Sequence, residues 1–167
     1  MSDDITKFEK VLLSLDEAGK RDELRRFALD CARAATDGMA APPLWNEAID
    51  LVAERVAGMI SEGTFRHRAA ALECRLPLLT VLSGLRRGDP HAAAALTVMA
   101  ALRTRAVEAA LDSARAERLQ ARMSAPRRDI MSPTQGADNV ADESRRASER
   151  AVRHCLHHQV VRLGRMP

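Results

Sequence analysis

Residues 88–123 read GDPHAAAALTVMAALRTRAVEAALDSARAERLQARM. Gly88 offers a left-handed stop for the helix before it, Asp89 a carboxylate to cap the next one, and Pro90 a first-turn position where the missing amide is not needed. A helix boundary is expected at this triplet. From Pro90 to Met123 neither Gly nor Pro recurs after the opening proline, so the pattern predicts one helix, a rod of roughly 50 Å at the usual rise per residue. Ala95, Met99, Leu102, Ala106, Ala109, Ser113 and Ala116 alternate steps of four and three along it. Such a seam of small residues admits close approach of a second helix, from within the chain or from a second copy.

Upstream, Asp3 or Asp4 is positioned to cap a first helix running to about Ala18, with Ile5, Phe8, Leu12 and Leu15 on one apolar stripe. A second helix is expected from about Arg21 to Thr36, with Leu24, Phe27, Cys31 and Ala34 inward, ended by Gly38. Pro42 and Pro43 precede a third, from about Leu44 to Glu62, in which Trp45 covers the edge of the core and Gly63 is the stop. Thr64 is the expected cap of a fourth helix from Phe65. Pro77 removes an amide and crowds the preceding turn, so residues 65–87 are read as two helices.

Downstream, residues 125–141 carry Pro126, Pro133, Gly136 and scattered polar groups and read as a mobile linker. A final helix is expected over 142–167, with Ala147, Val152, Leu156, Val160 and Leu163 on one face, docked to the bundle or ordered by a partner. The expected architecture is therefore all-α: a bundle of five or six helices over residues 1–124 with one long helix, a linker, and a C-terminal helix.

Composition agrees with that class. The 167 residues hold thirty Ala and nineteen Leu against ten Val, four Ile and seven Thr, which suits helices and starves strands. Four aromatic residues in all exclude the stacking platforms of single-strand nucleic-acid binders. No apolar run approaches the roughly 20 residues of a membrane span, and Asp3 and Asp4 stand where a secretory signal would be basic. A cytoplasmic protein with reduced Cys31, Cys74 and Cys155 is expected.

Charge is uneven. Residues 1–64 hold 8 basic and 13 acidic groups, whereas residues 65–167 hold 18 and 10. Either an acidic partner faces the basic half or the two halves satisfy each other internally, and the internal reading is favoured. If the basic groups of residues 65–128 shared a face, Arg66, Arg68, Arg86, Arg87, Arg103 and Arg105 would be the candidates for neutralising phosphates. A nucleic-acid-binding regulator is thus the alternative function.

Chemistry is sparse. His154 and His158 lie one turn apart and are candidate ligands for a single metal ion, but Cys155 is offset by about 100° and a structural zinc site needs four donors. No second half of that set is adjacent, so no metal and no cofactor are expected. Cys31 has no histidine near it in sequence to act as base and reads as an inert core thiol. Pairs such as Glu47 and Asp50 have the spacing of a solvated helix face, and the two Glu-x-x-His repeats of di-iron bundles are missing. Phosphate-cradling glycine loops, Cys-x-x-Cys and Gly-x-Ser-x-Gly are likewise missing. Arg145-Arg146-Ala147-Ser148 has the form of a basophilic kinase acceptor, a match frequent by chance.

Phe27-Ala28-Leu29-Asp30-Cys31-Ala32, followed by Asn46-Glu47-Ala48-Ile49-Asp50 in an alanine-rich chain, resembles the opening of the small all-helical immunity proteins that accompany bacterial toxins. The resemblance implies a toxin-neutralising binder that works by surface complementarity, without turnover. Together with the lack of catalytic motifs, the expectation is a non-enzymatic protein-binding module, with a protein partner and a homo-oligomer both open.

Overall fold

The computed structural model describes residues 2–125 and 137–165, which form helices joined by short turns, with no strand among them. Eight helices follow in order: α1 (Ser2–Glu17), α2 (Arg21–Thr36), α3 (Pro43–Val56), α4 (Glu62–Arg75), α5 (Leu78–Arg86), α6 (Pro90–Ala101), α7 (Ala106–Ser124) and α8 (Ala137–Gly164). No helix of the described residues is long and apolar enough to cross a membrane.

The helix expected over Pro90–Met123 is two helices. α6 ends at Ala101 and α7 begins at Ala106, and the pair packs face to face as a hairpin closed by residues 102–105. The small-residue seam is buried as expected, but against its own other half: Ser113 Oγ donates across the hairpin to the Thr97 carbonyl at 3.4 Å. At the break, Arg25 on α2 donates through its guanidinium to the carbonyls of Arg103 and Thr104. A buried cation thus takes the place of the amides that a continuing helix would have supplied.

The boundary at Gly88-Asp89-Pro90 stands as read. Gly88 takes φ 73°, and an Asp89 carboxylate oxygen accepts from the His91 amide at 2.9 Å. Pro77 does separate two helices, α4 and α5. The third helix is shorter than expected: it ends at Val56, Gly58 turns the chain at φ 72°, and Gly63 lies inside α4. The cap of α4 is Ser61, which accepts from the Thr64 amide at 3.1 Å, so Thr64 is the capped residue and not the cap. The linker expected at 125–141 falls largely outside the described residues.

Two apolar clusters share α2 and α7. One gathers Trp45, Ile49, Leu51, Phe65, Leu72, Val98 and Leu102 from α3, α4, α6 and the turn after it. The other gathers Phe8, Leu12, Leu24, Phe27, Cys31, Val107 and Leu156 from α1, α2, α7 and α8. α8 is docked, chiefly on α7 and to a lesser extent on α2. A buried polar chain fixes it: Arg118 donates to Gln159 Oε1 at 2.9 Å, Gln159 Nε2 donates to Glu117 at 2.9 Å and to the Ala114 carbonyl at 3.0 Å, and Arg162 pairs with Glu117. Glu9 of α1 closes the chain on Arg118 at 2.9 Å.

Candidate functional site

Arg25 is 3% exposed, lies 4.4 Å over the Phe65 ring, and pairs with Glu62 at 3.0 Å. Glu62, in the first turn of α4, also receives Arg55 from the end of α3 at 3.0 Å and Arg66 one turn further along α4 at 3.3 Å. One carboxylate therefore sits among three guanidiniums. Burial pushes the Glu62 carboxyl up, but the hydrogen bond from Arg55 and the charge of Arg25 outweigh it and hold the group below its ordinary range. Burial draws the Arg25 guanidinium down, and Glu62 restores only part of that.

These groups line a cavity of about 350 Å³ formed where α2, α4 and α7 begin, completed by Asp16, Arg21, Thr104, Arg105 and Ala106. Five guanidiniums face two carboxylates there. Arg21 makes no ion pair among the described residues, and Arg105 pairs outward with Glu108 at 3.0 Å. α2 and α7 start on Lys20 and Arg105, neither of which supplies a side-chain cap.

The six arginines singled out in the sequence do not form one face. Arg66 and Arg105 meet in this cavity. Arg68 pairs with Glu54 and Arg103 with Asp112. Arg86 and Arg87 close α5, exposed and without an ion pair among the described residues. Sequence reading missed Arg21, Arg25 and Arg55, which lie in the acidic half of the chain. The i, i+4 spacing of Arg21 and Arg25 at the start of a helix was the one available signal.

His154 and His158 do come together, Nε2 to Nε2 at 3.0 Å, with ring centroids 4.4 Å apart. They edge a second cavity, of about 730 Å³, between α2, α7 and α8, where alanines and Val161 alternate with polar groups such as Glu117, Gln120 and Arg162. No group of three His, Cys, Asp or Glu among the described residues is arranged to hold a metal. Cys155, also on that wall, is buried and its thiol is pushed up to about 12. Cys31 is fully buried and burial raises its thiol well above the ordinary value, so neither sulfur supplies a thiolate.

A third feature is apolar. Leu78, Leu79 and Leu82 are exposed on α5, Leu79 at 80%, while Val81 and Gly84 face inward against α6. Comparison of the chain with protein-family models, curated proteins and solved structures returns no match.

Proposed function

We propose that the chain is a non-enzymatic protein-binding module whose docking face is the outer side of α5. The observation that carries this reading is the leucine stripe itself: three large aliphatic side chains exposed within one nine-residue helix. Scattered exposed leucines are ordinary, whereas a cluster on one helix marks a contact surface. Arg86 and Arg87, exposed and unpaired at the end of the stripe, select the partner's charge. The occupant is an acidic protein surface that presents aliphatic side chains, the arrangement of an amphipathic helix laid against a groove. A toxin-neutralising role is the form of this function that the likeness of residues 27–32 and 46–50 to immunity proteins suggests.

The six arginines share no one face, and Arg68 and Arg103 pair with Glu54 and Asp112, which favours protein over an extended nucleic-acid backbone as partner. The test is affinity capture from the native host with the full chain and with a Leu79→Glu, Leu82→Glu variant. One stoichiometric protein, retained by the native chain and an Arg153→Gln control and lost by the double variant, is the expected result. Retention by the double variant, or duplex DNA binding that falls steeply with salt, would overturn the reading. Sedimentation of the chain alone at several concentrations checks the remaining occupant, a second copy.

A further inference from the structure

We infer that the arginine-lined cavity at the head of α2, α4 and α7 is a binding site for a small phosphate-bearing anion. Five guanidiniums converge on one cavity, and Arg21 among them makes no ion pair among the described residues. Arg25 and Arg55 are committed to Glu62 and form the floor. Arg21, Arg66 and Arg105 lie toward solvent at the rim. Glu62 offsets one of the three guanidiniums that it touches, and Asp16 is the only other carboxylate on the wall. Asp22 and Glu108, beside the wall, pair with Arg55 at 3.5 Å and with Arg105 at 3.0 Å, so five cations meet four anions and the surplus is one positive charge, with Arg21 the wall cation that has no ion pair among the described residues.

Guanidinium is the side chain whose planar fork matches phosphate and carboxylate oxygens. Two neighbouring features favour an anion further. The first turn of α7, on the cavity wall, has no side-chain cap for its amides, and the positive end of that 19-residue helix points the same way. Thr104 adds a hydroxyl.

Size and lining restrict the ligand. A volume of about 350 Å³ is at the small end of the range of ligand pockets. No aromatic residue stands on the wall to stack a base. The ligand is therefore recognised through its phosphoryl groups, and an attached nucleoside adds no affinity. The site shares no residue with the α5 face, so the two proposals stand or fall separately.

Calorimetric titration of the full chain at low salt with pyrophosphate, tripolyphosphate, a nucleoside triphosphate and citrate tests the site. One equivalent of pyrophosphate or tripolyphosphate is expected to bind, more weakly as salt rises. The nucleoside triphosphate should bind no tighter than tripolyphosphate. Arg21→Gln and Arg66→Gln, both at exposed positions, should each weaken binding about tenfold, as for loss of one charge-assisted contact. Arg153→Gln, on α8, should leave it unchanged, and circular dichroism of each variant reports the fold. The inference is overturned if no phosphate compound binds, if Arg153→Gln weakens binding as much as Arg21→Gln, or if citrate matches pyrophosphate. Duplex DNA outcompeting pyrophosphate for the same arginines would likewise overturn it, in favour of a nucleic-acid surface.

Discussion

Replacing Gln159 by Leu tests whether the polar chain beneath α8 is a structural lock. Gln159 is fully buried and makes three hydrogen bonds, two of them with charged groups: it accepts from Arg118 and donates to Glu117. Leucine keeps most of the volume and forms none of these bonds. Each bond to a charged partner contributes about 1.5–3 kcal/mol, and a buried group left unsatisfied costs a comparable amount. Arg118 keeps Glu9, and Glu117 keeps Arg162, so neither charge is stranded. Extra apolar burial returns about 1 kcal/mol. The net expected loss is about 2–4 kcal/mol, a large part of the roughly 5–15 kcal/mol of a typical domain.

Urea unfolding followed by circular dichroism measures the loss. With m of about 2 kcal/mol/M, in the middle of the usual range, the midpoint should fall by about 1–2 M. Trp45 lies in the other apolar cluster, so its fluorescence supplies an independent probe. Coincident transitions would show α8 unfolding with the bundle, and an early dichroism phase would show it leaving first. Val160, the exposed neighbour, is the control, because Val160→Gln should move the midpoint little. A Gln159→Leu midpoint within about 0.2 M of the native chain would refute the reasoning, since a network of that kind would be exchanging freely with water.

Three further outcomes follow from the same geometry. Glu9 is held below its ordinary carboxyl value by the hydrogen bond from Arg115, against the opposing effect of burial; its stabilising contribution is complete above the unfolded value of 4.5 and is lost as pH falls through the lower folded value, so Glu9→Gln should flatten the fall in Tm below about pH 4.5. Native chain at pH 8 should expose one fast thiol to an aromatic disulfide reagent, Cys74, with Cys31 and Cys155 reacting only after denaturation; two fast thiols would contradict the packing of α2 against α8. A Cβ on Gly84 would meet Ala92 Cβ at 2.6 Å, so Gly84→Ala should lower stability by about 1–3 kcal/mol despite its better helix propensity, and Ala92→Gly in the same chain should recover part of the loss in a double-mutant cycle read by thermal unfolding.

The fold class was legible because it rests on local signals. Glycines 38 and 88, Asp89, Pro43, Pro77 and Pro90 each act within a few residues, and the positions they mark are helix ends in the structure. At the expected long helix the decisive group is remote. Nothing within Leu102-Arg103-Thr104-Arg105 forbids a helix, and its interruption depends on a guanidinium 78 positions away in the chain. The third helix was read too long because Gly58 and Ser61, the residues that end it and start the next, were passed over for Gly63 and Thr64.

The same remoteness hid the candidate site. Arg66 and Arg105 were visible as members of a basic stretch, but a stretch is not a surface: Arg68 and Arg103 turn to carboxylates elsewhere, and the other members of the cavity come from the acidic half of the chain. Arg25 connects the two findings. It takes the carbonyls of Arg103 and Thr104 where the α6 run has ended, and the first turn of α7 and Arg105 stand at the mouth of the cavity whose floor it forms with Glu62. A continuous helix would have carried Arg105 along the rod and left Glu62 with three cations and no opening beside them. One buried side chain thus touches both the break in the expected spine and the carboxylate on the cavity floor. Charge balance among the described residues is met partly across helices, as at Arg25–Glu62 and Arg115–Glu9, and partly along single helices, as at Arg66–Glu62.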